Sequence, residues 1–211
     1  ESEIRELCNS IHNNKVTILT GASGIGKTRL ALEVCRRQDE KVVKTYCVKS
    51  NGRLLYEDIK YYVSDPGKYF LFFDDANMVA SLDNVLNTIL TLSEEYEVNL
   101  LITVRDYAKD RVINAVSKYA NPSIIEIESF KDDEIKDILK ENLGIVNADY
   151  LEKITDIANG NIRLAFLAGI RAMRDGYQAI CNAEDIFKNY YSRIIDDTEL
   201  TKEDILMLFF I

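Results

Sequence analysis

The chain has 211 residues, enough for one large domain or two modest ones that each bury a core. Apolar residues make up 47% and charged residues 29%, which excludes a disordered chain, and a formal net charge of -9 argues against direct nucleic-acid binding by this stretch. Cys8, Cys35, Cys47 and Cys181 form no C-x-x-C pair and, with the single His12, no zinc pattern. They are expected as reduced thiols in a cytoplasmic protein without a membrane partner, since no apolar run approaches the ~20 residues of a span and no stretch reads as a secretory signal.

In chain order, residues 16–20 form the first apolar, β-branched run and predict a strand. Gly21-Ala22-Ser23-Gly24-Ile25-Gly26-Lys27-Thr28 follows and fits G-x-x-x-x-G-K-[ST] at every specified position. The residue types follow from the chemistry: glycines let successive backbone N–H groups surround phosphates, and a helix predicted over residues 27–37 aims its N-terminal dipole at the same charge. Lys27 is expected on the β- and γ-phosphates, and the Thr28 hydroxyl on Mg²⁺. Arg29, next in line, is counted with Gly21–Thr28 among the nucleotide-binding positions.

Further strands are predicted over residues 45–48, 69–74, 99–104 and 123–127, with helices over roughly 82–95 and 109–119 between them. Runs that are apolar throughout predict strands covered on both faces, hence a parallel sheet in a three-layer α/β domain. The third strand ends in Asp74-Asp75. Paired acids closing an apolar strand call for a cation nearby, so Asp74 is assigned to the metal and Asp75 to orienting or deprotonating water. The fourth ends in Arg105, placed where ligands bind in open α/β sheets and suited to a γ-phosphate.

From residue 132 onward strand signals cease. Three helical faces are expected. Ile135, Ile138, Leu139 and Leu143 end at Gly144, and Leu151, Ile154, Ile157 and Ala158 end at Gly160. Ile162, Ala165, Phe166, Gly169, Ile170 and Met173 end at Gly176. The domains expected are 1–128 (α/β), 129–195 (helical lid) and 196–211, where Thr201-Lys202-Glu203-Asp204 before an apolar run predicts the start of a third. Thr201–Asp204 also fits the guanine-reading T-K-x-D string, but it follows no strand, and Met78 stands where a GTPase switch loop has glycine.

Together, GASGIGKT, FLFFDDA, LLITVRD and GNIRLA resemble the STAND class of signal-transduction ATPases, which includes NACHT and NB-ARC proteins and is related to AAA+ ATPases. The resemblance spans residues 15–173. It implies that Lys27 and Thr28 are the Walker A pair, Asp74 and Asp75 the Walker B acids, and Arg105 the sensor-1 arginine. Gly160–Ala165 stands at the family's G-x-P-L-A motif, with Ile162 in place of its proline. Arg163 there is similar to the AAA+ sensor-2 arginine and is expected to contact nucleotide. The resemblance further implies a winged-helix domain after the lid, ADP bound at rest, and self-association with ATP. It also implies slow, regulatory hydrolysis and unidentified sensor and effector domains in a longer signalling chain, often serving defence. The alternatives are an AAA+ motor or nucleic-acid loader, with Arg111 or, more weakly, Lys118 as its arginine finger, and a nucleotide-stabilised interaction scaffold.

Overall fold

The computed structural model describes residues 2–39, 43–49, 55–181 and 186–187. The chain divides into two compact units, Glu1–Glu128 and Ser129–Ile211. In the first, helix α1 (Ser2–Asn13) precedes β1 (Val16–Gly21), and α2 (Lys27–Asp39) leads to β2 (Lys44–Lys49). Then come α3 (Tyr56–Tyr62), β3 (Gly67–Asp74), α4 (Leu82–Leu90), β4 (Tyr96–Arg105), α5 (Lys109–Ser117) and β5 (Ser123–Glu126). The five strands form one sheet in the order β2-β3-β4-β1-β5, and every pairing is parallel.

Alternation along the strands sends side chains to two apolar layers. Val16, Ile18, Leu71, Phe73, Leu100 and Ile102 pack with Ile59 of α3, Leu86 and Ile89 of α4 and Val112 of α5. Leu19, Phe70, Phe72 and Leu101 pack on the other face with Leu7 and Ile11 of α1 and with Ala31 and Val34 of α2. A sheet covered on both sides needs strands that are apolar throughout, and β1 is buried at all of its positions.

The expected α/β fold of parallel strands and flanking helices is present, with differences at the edges. Helix α4 stops at Leu90, short of the expected residue 95. The Thr91 hydroxyl donates to the Asn87 carbonyl (2.6 Å), and the Tyr96 amide closes a turn on Ser93 (3.0 Å). Strand β4 begins at Tyr96, before the expected residue 99, because Gly67, Lys68 and Tyr69 pair with Tyr96, Glu97 and Val98. Helices α1 and α3 were not anticipated. The α1 helix is tied down by Asn99, whose Nδ2 donates to the Ile11 and Asn14 carbonyls (both 3.1 Å).

The second unit is helical: α6 (Asp132–Leu143), α7 (Ala148–Ala158), α8 (Ile162–Asp175) and α9 (Gln178–Cys181). Its core includes Ile135, Leu139, Leu151, Ile154, Leu164 and Ala165. Gly144 ends α6 in the left-handed region (φ 67°) as expected, whereas α7 is closed by Asn159 (φ 44°), one residue before Gly160. The buried face of α8 is Leu164, Ala165, Ala168, Gly169 and Ala172, so Ile170 and Met173, expected inside, stand exposed. The third domain expected at 196–211, including Thr201–Asp204, and residues 188–195 of the expected lid lie outside the described residues.

Candidate functional site

Gly21 through Thr28 turn from β1 into α2 at the carboxyl edge of the sheet. Gly21, at φ 145°, has no room for a side chain: a Cβ there would lie 2.6 Å from the Ile127 carbonyl oxygen and 2.6 Å from Ile25 Cδ1. Gly24 (φ 81°) and Gly26 (φ 98°) also take positive dihedrals that keep the loop tight around the helix start. Ile25 is buried and braces the loop from below.

Lys27 is buried, and its Nζ donates to the Gly21 and Ala22 carbonyls, each at 2.7 Å. Burial holds its ammonium below the usual lysine range, while Asp75 and Asp106 pull the other way. The Thr28 hydroxyl donates to Asp74 Oδ1 at 2.8 Å, which brings the start of α2 to the end of β3. Arg29 is exposed on α2.

Between these two elements lies β4. Its position in the strand order, beside both β1 and β3, places Thr103 and Arg105 on the α2 side of the sheet. Thr103 is fully buried. Its hydroxyl donates to Asp74 Oδ1 (2.9 Å) and accepts the Asp75 amide (2.9 Å). Arg105 Nη2 reaches Asp75 Oδ2 at 3.4 Å, with the arginine side chain only 8% exposed and that of Asp75 37%. Burial pulls the Arg105 pKa down, but Asp75 and Tyr107 outweigh it and the group is held above its ordinary value. Asp75 has left-handed backbone (φ 47°, ψ 58°) and opens a short 3-10 turn, Ala76–Met78.

Thus Lys27, Thr28, Asp74, Asp75 and Arg105, all expected from sequence, gather in one unit around the ends of β1, β3 and β4. Arg163 is in the other unit, exposed in the first turn of α8, which Asn161 caps by accepting the Leu164 amide (3.1 Å). Thr103 was not singled out; the available signal was a hydroxyl inside the apolar run before Arg105. Arg111 Nη2 donates to the Asn77 carbonyl of its own chain (2.6 Å), and Lys118 bonds Asp83 (2.8 Å).

Among the described residues no three His, Cys, Asp or Glu side chains gather to hold a metal by themselves. The Thr28 and Asp74 oxygens are hard donors suited to Mg²⁺, which characteristically completes its shell with phosphate and water oxygens. Among the described residues no helix is long and apolar enough to cross a membrane.

A family model described as Novel STAND NTPase 3 matches residues 1–144. No curated protein matches the chain. Among solved structures, the chain is similar to the Thermotoga maritima RuvB Holliday junction branch migration motor (16% identity, TM-score 0.64, covering 97% of this chain and 73% of that one). It is also similar to the Aeropyrum pernix Orc1 protein in complex with DNA (18% identity, TM-score 0.70, 94% and 68%). A third is the Walker-type ATPase PABY2304 of Pyrococcus abyssi (13% identity, TM-score 0.64, 93% and 74%). At these identities the structures establish a shared fold.

Proposed function

The chain belongs to the Novel STAND NTPase 3 family, and on that premise we propose that it is the nucleotide switch of a larger signalling protein, serving defence. It binds ATP or ADP with Mg²⁺, hydrolyses ATP slowly, and associates with itself when ATP is bound. The observation that carries the reading is convergence: Thr28 and Asp74 touch across the sheet edge while Arg105 holds Asp75 beside them.

From this geometry, Lys27 leaves the Gly21 and Ala22 carbonyls for the nucleotide's phosphates, and the loop amides bind the same oxygens. Thr28 and Asp74 would hold Mg²⁺, which would supply Lewis-acid charge when bound. Arg105 moves from Asp75 toward the γ-phosphate, and Asp75 then orients or deprotonates water. Because Arg105 holds Asp75 in the structure, turnover requires that pair to part first, which supports slow hydrolysis. Arg29 and Arg163 complete the proposal as further nucleotide contacts.

The reading is tested by extracting the nucleotide retained by the purified chain and measuring mass by light scattering in ADP and in ATP. Tightly held ADP, a monomer with ADP and a larger species with ATP are expected. Rings that form and turn over without any trigger, and lose turnover but not ATP binding in Arg111→Ala, would replace the switch with a motor. Arg111's bond to Asn77 of its own chain supports the switch.

A further inference from the structure

Thr103 is the one fully buried side chain that touches both acids of the site through hydrogen bonds among the described residues. A hydroxyl has one proton and two lone pairs, so its bonds can be assigned. The Asp75 amide at 2.9 Å is a donor, so Thr103 Oγ1 accepts there. The proton then goes to Asp74 Oδ1, also at 2.9 Å, in preference to the Phe73 carbonyl at 3.5 Å.

Each bond answers a specific need. Asp75 lies just past the end of β3, in left-handed backbone that ordinary residues avoid, and its amide is satisfied by Thr103. Asp74 Oδ1 receives two hydroxyls, Thr103 from beneath and Thr28 from the exposed side. If Thr28 turns its oxygen toward a metal, its proton leaves Asp74. Thr103, wholly buried on the middle strand, stays.

We propose that Thr103 is a positioning residue that orients the Asp74 carboxylate toward the metal and holds Asp75 in its strained conformation, an inference that rests on the nucleotide-binding reading above. Thr103 touches neither phosphate nor metal itself. It acts through the two acids, as a second layer of hydrogen bonds orients metal-binding carboxylates elsewhere. Its position follows from the strand order, since β4 alone borders both β1 and β3.

The test uses the 211-residue chain with Thr103→Val, which keeps the shape and removes the hydroxyl, Thr103→Ser, which keeps the hydroxyl, and Thr103→Ala in case valine disturbs packing. ATP affinity is titrated in EDTA and across a range of Mg²⁺ concentrations, and phosphate release is followed in a single turnover. In Thr103→Val the Mg²⁺ needed for half-maximal tightening should rise about tenfold and phosphate release fall about tenfold or more, while affinity in EDTA stays within about twofold. Unchanged affinity in EDTA also shows that the variant is folded. Thr103→Ser should restore both quantities to within about threefold.

Wild-type Mg²⁺ dependence in the valine and alanine variants overturns the proposal, as does a serine variant as impaired as valine. A wild-type chain whose ATP affinity is the same in EDTA and in Mg²⁺ overturns this proposal alone, whereas a wild-type chain that binds no ATP under either condition overturns the nucleotide-binding reading, and this proposal with it. The two failures are therefore distinct.

Discussion

Asp75 occupies backbone at φ 47° and ψ 58°, a conformation that costs a residue with a side chain ~1–2 kcal/mol. Asparagine tolerates this region better than most residues and preserves the amide bond to Thr103, so Asp75→Asn isolates the charge from the conformation. We expect the variant to fold and bind ATP but to release phosphate ~10²–10⁴ times more slowly, so that bound ATP accumulates. Single-turnover hydrolysis with extraction of the bound nucleotide measures this, and an unchanged rate removes Asp75 from the mechanism. That Lys27, Thr28, Asp74 and Asp75 come together at one sheet edge was legible because the G-x-x-x-x-G-K-[ST] spacing and the paired acids closing an apolar strand are both visible in the sequence. Thr103 was not: a β-branched threonine suits a strand for packing alone, and its partners, Asp74 and Asp75, sit far from it in sequence.

At the scale of elements, α8 shows where a periodic pattern has two solutions. Ile162, Phe166, Ile170 and Met173 form one apolar stripe, while Leu164, Ala165, Ala168, Gly169 and Ala172 form another made mostly of small residues. Size alone favours the first stripe. The fold buries the second because its neighbour comes close: a Cβ on Gly169 would lie 2.7 Å from Leu143 Cδ1 of α6. We therefore expect Ile170→Gln to change stability by no more than ~0.5 kcal/mol and Ala168→Leu to cost ~1–3 kcal/mol by overpacking. Urea unfolding followed by circular dichroism reads both, and the reverse order would refute the assigned face. The α1 helix had a usable signal in Ile4, Leu7, Cys8 and Ile11, spaced for one helical face, and two of these, Leu7 and Ile11, are buried. Strand and helix ends were less legible, because Tyr96 joins β4 through pairing with Gly67, a contact that local sequence does not encode.

At the scale of the molecule, the alternation of apolar runs with helical patterns was enough to read a parallel α/β sheet followed by helices. The strand order was not readable, because it depends on which strands become neighbours, and it is this order that brings β4 between the loop and the acids. Family membership and the shared fold agree with a nucleotide site at that edge. The central claim is that the loop from Gly21 to Thr28 binds the phosphates of ATP through Lys27. Calorimetric titration of ATP with Mg²⁺ into the wild-type chain and into Lys27→Ala tests it most directly. One saturable site in the wild type and an affinity lower by about a hundredfold or more in Lys27→Ala are predicted; equal affinity in the two chains would contradict the account.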